Sequence, residues 1–106
     1  MKTDIKPYVL AMRKAYDRYH QHIDKLAWVL DTAAEKDNVE AAFREWKDKK
    51  KDLRTEFAEA FFLFTEATGV NNSRSTVLSC VSPEDGFIKK SLADAEQKYL
   101  KKGDKL

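Results

Sequence analysis

Residues 9–33, VLAMRKAYDRYHQHIDKLAWVLDTA, decide the fold of this chain. Their apolar side chains recur at alternating spacings of three and four: Val9, Met12, Tyr16, Tyr19, Ile23, Leu26, Leu30 and Ala33. This heptad pattern is typical of a helix packed along one side, whereas a strand would alternate with a period of two. Thr3 or Asp4 can cap its start, and Pro7 is tolerated in the first turn. The pattern predicts one long helix over about residues 4–34.

A second heptad-like pattern follows directly. Its apolar positions are Phe43, Trp46, Leu53, Phe57, Ala60, Phe64 and Ala67. Residues 37–40, Asp-Asn-Val-Glu, are typical of a capping box at a helix start, and Gly69 suits the position just past a helix end. Lys50 occupies a seam position, where its stem can lie along the seam while its ammonium reaches water. We predict a helix over about residues 38–68.

The junction at residues 35–38 contains no Gly or Pro. We prefer an antiparallel hairpin of the two long helices, and one continuous helix is the alternative. Residues 70–82 are predicted to form a loop with a short apolar stretch, for which a helical turn is the alternative. A third, shorter helix is predicted over about 83–100, with Ser82 as its cap, and residues 101–106 as a frayed tail.

Residues 60–64, Ala-Phe-Phe-Leu-Phe, place apolar groups all around the second helix. A helix that is apolar on every side must be covered on every side. In a hairpin this segment lies beside the start of the first helix, so we expect residues 77–100 to pack there. The prediction is an all-α single domain, 1–106, with a three-helix thick end and a thinner two-helix arm. A dimeric helical bundle would cover the same surfaces.

The composition favours long helices. Charged residues make up 36% of the 106 residues and hydrophobic ones 42%, with only three Gly and two Pro. The net charge of +2 is too balanced to indicate a nucleic-acid-binding protein by itself. The sequence contains no run of about 18 apolar residues, so it predicts no membrane span. The single Cys80 cannot form an internal disulfide and is expected in the core. Without a signal-peptide pattern, we expect a cytoplasmic protein.

Little in the sequence indicates catalysis. His20 and His22 point about 200° apart on a helix, so they cannot share a metal ion. His20 is instead expected to pair with Asp17 or Asp24. Cys80 lies in an apolar segment, which raises the pKa of a thiol and disfavours the reactive thiolate. No glycine-rich phosphate loop is present. We expect no catalytic residue, no metal and no cofactor.

Two features suggest a binding surface. Trp28 lies about 140° or more from the apolar stripe of the first helix, near the thin end, where nothing is well placed to cover it. The polar face of the second helix is sorted by sign, with Lys49 as the exception. Its basic sector comprises Arg44, Lys47, Lys50, Lys51 and Arg54, and its acidic sector comprises Glu45, Asp48, Asp52, Glu56 and Glu59. Both sectors are expected to pair with charges of the first helix unless each faces a partner.

We therefore expect a non-enzymatic protein–protein interaction module that docks a rigid helical surface on a larger partner and regulates or inhibits it. The candidate partner-binding residues are Trp28, Arg44, Lys47, Lys51 and Arg54. A nucleic-acid-binding protein that uses the basic sector is the less favoured alternative, and a homo-oligomeric coiled coil is another. A membrane-surface role is not expected, because the polar faces are rich in acids. The identity of the partner and the choice between monomer and homodimer stay open.

Overall fold

The computed structural model describes residues 4–100, and this part of the chain is helical without strands. Five helices follow one another: α1 (Lys6–Asp24), α2 (Leu26–Glu35), α3 (Val39–Ala67), α4 (Arg74–Cys80) and α5 (Gly86–Tyr99). None of them is long and apolar enough to cross a membrane. The all-α prediction is confirmed. Thr3 and the predicted tail 101–106 lie outside the described residues.

The hairpin is antiparallel, and its turn is a Schellman motif. The N–H of Asn38 donates to the carbonyl of Ala33 at 2.9 Å, and the N–H of Asp37 donates to that of Ala34 at 3.2 Å. Asp37 takes the left-handed position with φ 52°. The predicted capping box is wrong, because Asn38 makes no side-chain bond to the first turn of α3. The backbone N–H of Asn38 instead donates to the carbonyl of Ala33. Helix α2 therefore ends in a turn that contains neither Gly nor Pro.

The first long helix is interrupted at Lys25, where one unbroken helix was predicted. The carbonyl of His22 accepts the N–H of Lys25 at 3.2 Å and also the indole N–H of Trp46 at 2.9 Å. A side-chain donor inserted into the helical ladder ends α1 in this way. The ladder resumes at once, since the N–H of Val29 donates to the carbonyl of Lys25. Helix α2 therefore continues along α3.

The thick end contains the core. Helix α5 packs against α1 and helix α4 against α3. The buried cluster is contributed by four helices and the segment before α5: Val9, Met12, Ala15, Phe57, Ala58, Val77, Val81, Ile88, Leu92 and Ala95. Arg13 forms an ion pair with Glu96 that fixes α5 along α1. The predicted third element at the thick end is confirmed, and it is made of two helices rather than one.

Two predicted details at this end are wrong. The predicted loop 70–82 contains helix α4. Val77 is buried against α3, and its backbone N–H and C=O groups need hydrogen-bond partners there, which a helix supplies. The start of α5 lies at Asp85, whose carboxylate accepts the N–H of Phe87 at 2.9 Å, rather than at Ser82. Pro83 is almost fully buried, and it holds the segment between the two helices against the hairpin.

The other end of the molecule is a two-helix arm. Helix α2 contacts α3 and the end of α1, and neither α4 nor α5 reaches it. The molecule measures 57 × 33 × 22 Å, and its radius of gyration is 16.3 Å. A compact chain of this length would have a radius of gyration of about 13 Å. The arm therefore presents two helices with no third layer.

Candidate docking surface

Trp28 lies on the outer side of the arm with 67% of its surface exposed. Its neighbours along α2, Leu30 and Ala33, turn toward α3, and Ala33 is buried. The heptad spacing of α2 directs these two residues inward and leaves Trp28 outside the seam. An exposed indole of this kind is unusual, since tryptophans are buried to a high degree on average.

Trp28 stands at the rim of a groove between α2 and α3. The groove has a volume of about 200 Å³ and is lined by Trp28, Val29, Thr32, Ala33, Lys36, Asn38 and Ala42. Two small side chains, Ala33 and Ala42, leave space where the helices approach each other. Val29, Ala33 and Ala42 thus form the apolar part of the lining, and Thr32, Lys36 and Asn38 form its polar part.

The groove continues along the hairpin toward the thick end. A second concavity shares Val29 and Ala42 and adds His22, Glu45 and Trp46. A third shares His22, and its lining is Arg18, Gln21, His22, Lys25, Lys49 and Leu53. Neighbouring concavities share lining residues, so the three follow one another along the hairpin. We call this row of concavities the hairpin furrow.

A reciprocal pair of hydrogen bonds joins the two sides of the furrow. The Nε2 of His22 lies 2.8 Å from the carbonyl oxygen of Trp46, and the indole N–H of Trp46 donates to the carbonyl of His22. The two rings stack with centroids 5.3 Å apart. Because a carbonyl only accepts, this geometry assigns the proton of His22 to Nε2. The pair fixes the spacing of α1 and α3 next to Trp28.

The predicted basic residues do not share one environment. Arg44, Lys47 and Lys51 are exposed, and the ammonium of Lys47 lies 5.7 Å from the centroid of the Phe43 ring. Arg54 is half-buried and donates to the carbonyl of Ser79 at 3.3 Å. Its Nε is buried without a hydrogen-bond partner among the described residues. Arg54 thus contacts the end of α4, while the other three face outward.

The structure does not bring Trp28 and the basic sector together. At 3.6 residues per turn, Arg44, Lys47 and Lys51 lie about 140° to 180° around α3 from Ala42, which lines the furrow. They therefore face away from the groove beside Trp28. The cation that lines this groove is instead Lys36, and Lys25 and Lys49 line the third concavity further along the hairpin. The first two were not singled out from the sequence.

The acidic sector pairs only in part with the first helix. Glu56 forms an ion pair with Arg18 of α1, as expected for charges that flank a seam. Glu59 instead pairs with Arg74 of α4. The predicted pairing within the hairpin is thus confirmed at one position. At the other, the acid holds α4 against α3.

A cluster that was not predicted lies where the segment before α5 crosses the hairpin. The hydroxyl of Tyr19, which is 1% exposed as a residue, donates to Glu84 at 2.5 Å. The ammonium of Lys50 lies 3.5 Å from the same carboxylate and 5.6 Å from the centroid of the Trp46 ring. Burial, followed by the bond to Glu84, raises the pKa of Tyr19, and the bond from Tyr19 lowers the pKa of Glu84. Glu84 falls in the first turn of the third helix predicted over about 83–100, so the sequence offered no signal for this contact.

Two predicted placements are wrong. Cys80 is exposed at the end of α4, because Val77 and Val81 fill the core positions of this segment and Cys80 falls between them. His20 pairs with neither Asp17 nor Asp24. Its Nε2 lies 3.0 Å from the carbonyl oxygen of Pro83.

Exposed rings occur at two positions that were not selected as site residues. Phe43 was assigned to the seam, but it is 40% exposed because the arm has no third layer on that side. Phe87 is 73% exposed. The sequence could have predicted the exposure of Phe87, because this residue lies one position outside the apolar stripe formed by Ile88, Leu92, Ala95 and Tyr99.

Within residues 4–100, no group of three or more His, Cys, Asp or Glu side chains is arranged to hold a metal ion. Comparisons with protein-family models, with curated proteins and with solved structures gave no significant match to this chain.

Proposed function

We propose that this protein is a non-enzymatic, cytoplasmic interaction module. Its two-helix arm docks on a larger protein and thereby regulates or inhibits that protein. The observation that carries this proposal is Trp28, two-thirds exposed at a groove whose lining is partly apolar. Tryptophan is enriched among the residues that dominate binding energy at protein interfaces.

The rigidity of the arm supports the proposal. Trp28 lies on a helix rather than on a loop, and the neighbouring His22–Trp46 pair fixes α1 against α3 through two hydrogen bonds. A surface that is already ordered loses little conformational entropy on binding. The helix that carries Trp28 is thus already formed before docking.

The exposed cations on the opposite face of α3 have a different role in this proposal. Arg44, Lys47 and Lys51 act at long range, by attracting an acidic region of the partner during the encounter. Arg54 adds its charge from its position against Ser79. Charge reversal at Lys47 and Lys51 is expected to slow association and to weaken its salt dependence, while dissociation changes little.

The proposal is tested by a photo-crosslinking amino acid placed at position 36, which lines the groove beside Trp28, in the full chain in cells of its source. We expect one discrete adduct, whose formation is suppressed by excess wild-type chain and not by Trp28→Ala. The same amino acid at Lys90, which is exposed on α5, is the control and should give no such adduct. Absence of an adduct from position 36, or equal competition by both chains, would contradict the proposal.

Nucleic-acid binding is a second candidate because of one observation. Phe43, an exposed ring, lies beside Lys47 on the same face of α3 as Arg44 and Lys51. Aromatic rings next to cations are the elements with which proteins bind single strands. This candidate predicts binding of a fluorescent oligonucleotide that falls steeply between about 50 and 200 mM salt. Binding would be lost on reversal of Lys47 and Lys51 and would be unchanged in Trp28→Ala.

A further inference from the structure

We infer that Asn72 is a site of spontaneous covalent modification, at which the side-chain amide reacts with the next backbone nitrogen and ends as a carboxylate. The residue lies in segment 70–73, between the turn that ends α3 and the start of α4. This segment belongs to the thick end and not to the arm, so the inference is independent of the proposed function. It is supported by the residue that follows Asn72, by the exposure of the segment and by its hydrogen bonding.

The reaction uses only groups of the chain and water, and it is the reason why asparagine counts among the thermolabile residues. The backbone nitrogen of Ser73 attacks the side-chain carbonyl carbon of Asn72, and the new N–C bond closes a succinimide ring. The bond from that carbon to Nδ2 breaks, and ammonia leaves with the proton that the backbone nitrogen loses. Water then opens the ring at either carbonyl, which gives aspartate or isoaspartate at position 72. An amide and a water become a carboxyl group and ammonia, and nothing is oxidised or reduced.

The residue after an asparagine decides how easily this ring closes. The three asparagines of the chain precede different residues: Asn38 precedes Val39, Asn71 precedes Asn72, and Asn72 precedes Ser73. Valine is branched at Cβ and crowds its own backbone nitrogen. The side chain of serine is smaller than those of valine and asparagine. The attacking nitrogen is therefore the least obstructed after Asn72.

Segment 70–73 leaves Asn72 accessible to water and to the attacking nitrogen. Val70 is 50% exposed, and the three residues after it are exposed as well. Among residues 4–100, neither the backbone and side chain of Asn72 nor the backbone N–H of Ser73 has a hydrogen-bond partner. The two reacting groups can therefore approach each other without first breaking a hydrogen bond.

The backbone of Asn38 is held in place, unlike that of Asn72. Its N–H donates to the carbonyl of Ala33 at 2.9 Å, and its carbonyl accepts the N–H of Ala42 at 3.1 Å. Ring closure at Asn38 requires these bonds to open, so the reaction proceeds only from the small population in which the hairpin turn is open. Asn38 is thus expected to react more slowly than Asn72.

Asp85 is the acid whose next residue obstructs the same ring closure least, because it precedes Gly86. Its carboxylate, however, accepts the N–H of Phe87 at 2.9 Å as the cap of α5. An ionised carboxylate is also a poorer electrophile than a neutral amide, because its negative charge disfavours attack by the nitrogen. Asp85 is therefore expected to stay unchanged while Asn72 reacts.

The modification acts on α4, which starts directly after Ser73. Isoaspartate carries the main chain through its side-chain carbon, which adds one carbon atom to the backbone just before this helix. Both products place a negative charge two residues from Arg74, whose guanidinium forms an ion pair with Glu59 of α3. The new carboxylate competes with Glu59 for this cation. The modification is thus expected to loosen α4 from α3.

The test is peptide mapping by mass spectrometry of the full chain after incubation at mildly alkaline pH, which promotes deprotonation of the attacking nitrogen. We expect Asn72 to convert about tenfold faster than either of the other asparagines, which corresponds to a barrier about 1.4 kcal/mol lower. Asp85 should give no isoaspartate. Conversion mainly at position 38, 71 or 85, or none at position 72, would overturn the inference.

A matched pair of variants tests the role of the attacking nitrogen. Ser73→Val gives Asn72 the same kind of neighbour that Asn38 has, and it should slow conversion at position 72 about tenfold. Ser75→Val makes the same change at an exposed serine of α4 and should leave the rate unchanged. Equal rates in Ser73→Val and the wild-type chain would overturn the assignment of this nitrogen.

Thermal denaturation measures the effect on α4. Converted wild-type chain should melt about 4 °C lower than fresh chain, as expected for a loss of about 1 kcal/mol. Asn72→Gln is the control, because glutamine would need a larger and slower-closing ring, and it should keep its melting temperature after the same incubation. Converted wild-type chain that melts like fresh chain, or an equal loss in Asn72→Gln, would overturn the effect of the modification on α4.

Discussion

The side chain of Phe57 shows how fully the thick end is packed. It has no exposed surface, and it contacts the rings of Tyr16 and Phe61. Its position in the heptad pattern of α3 predicted burial, and the prediction is confirmed. The same helical repeat predicted that Trp28 is exposed, because its position lies outside the apolar stripe of α2. For these residues the helical repeat alone was sufficient.

We expect Phe57→Ala to lower the free energy of unfolding by about 3–5 kcal/mol, because the truncation leaves a cavity in a core that closes only in part. Urea denaturation followed by circular dichroism measures the loss. Leu63→Ala, at an exposed position of the same helix, is the control and should cost about 0.5 kcal/mol. Similar losses in the two variants would mean that the core is not centred on Phe57.

We expect Trp28→Ala to change the free energy of unfolding by less than about 1 kcal/mol, because most of the indole is already in water. At the same time it should weaken binding to the partner by about 2 kcal/mol or more, as the loss of an interface anchor does. Thermal denaturation and a titration with the crosslinked partner measure the two effects. A large loss of stability with unchanged binding would assign Trp28 a structural role.

We expect Tyr19→Phe to cost about 1 kcal/mol at pH 7, because Glu84 loses a hydrogen bond but can be solvated again. The pKa of Glu84 is lowered in the folded chain, so its contribution is complete above its ordinary pKa and is lost as the pH falls through the folded value. The cost of Tyr19→Phe should therefore shrink below about pH 4. Urea denaturation at pH 3 and pH 7 measures this, and an equal cost at both would contradict it.

The raised pKa of Tyr19 changes the stability of the protein with pH in the opposite direction. Its contribution is complete below the ordinary pKa of tyrosine, about 10, and is lost as the pH rises through the higher folded value. Wild-type chain should therefore lose stability above about pH 10, and Tyr19→Phe should lose less.

At the scale of elements, α2 and α3 both end with a residue in the left-handed conformation. Gly69 ends α3 with φ +87°, and the N–H of Val70 donates to the carbonyl of Thr65 at 2.9 Å. The same arrangement ends α2, but with Asp37 at the left-handed position. Only Gly69 was predicted, because glycine is the local signal for this conformation. At Asp37 the closing hairpin imposes the conformation on a residue that does not favour it.

We expect Asp37→Gly to stabilise the protein by about 0.5 kcal/mol, since it removes the cost of a left-handed residue with a side chain and adds a smaller entropic cost. Gly69→Ala should lower the free energy of unfolding by about 1 kcal/mol, because alanine does not favour the left-handed conformation. No atom lies within 4 Å of the added Cβ, so a steric clash would not add to this cost. Thermal denaturation of both variants measures the difference. Destabilisation by Asp37→Gly would contradict the assignment of strain to this turn.

At the scale of the whole molecule, the arm and the thick end have different consequences. The thick end satisfies its apolar surface within the chain, while the arm leaves the furrow and Trp28 open. A homodimer through the arm would place a second copy where we propose a protein partner. The oligomeric state therefore decides between the docking module and the homo-oligomeric alternative.

We expect light scattering coupled to size exclusion to give a mass near 12 kDa, the mass of one chain. The melting temperature should also be independent of protein concentration, as it is for a monomer. A dimer mass with a melting temperature that rises with concentration would favour self-assembly. Loss of that dimer in Trp28→Ala would then place its interface on the arm.

The sequence by itself determined the helical class, the seam of the hairpin, the end of α3 at Gly69 and the exposure of Trp28. These follow from the spacing of apolar residues and from glycine, which act within a few turns of one helix. Only the tertiary structure decided the break at Lys25, the exposure of Cys80 and the placement of the basic sector and the furrow cations on different faces. These features depend on contacts between distant segments, such as the bond from Trp46 to His22 and the contact of Arg54 with Ser79. No local pattern encodes such contacts, because their partners lie some 25 residues away along the chain.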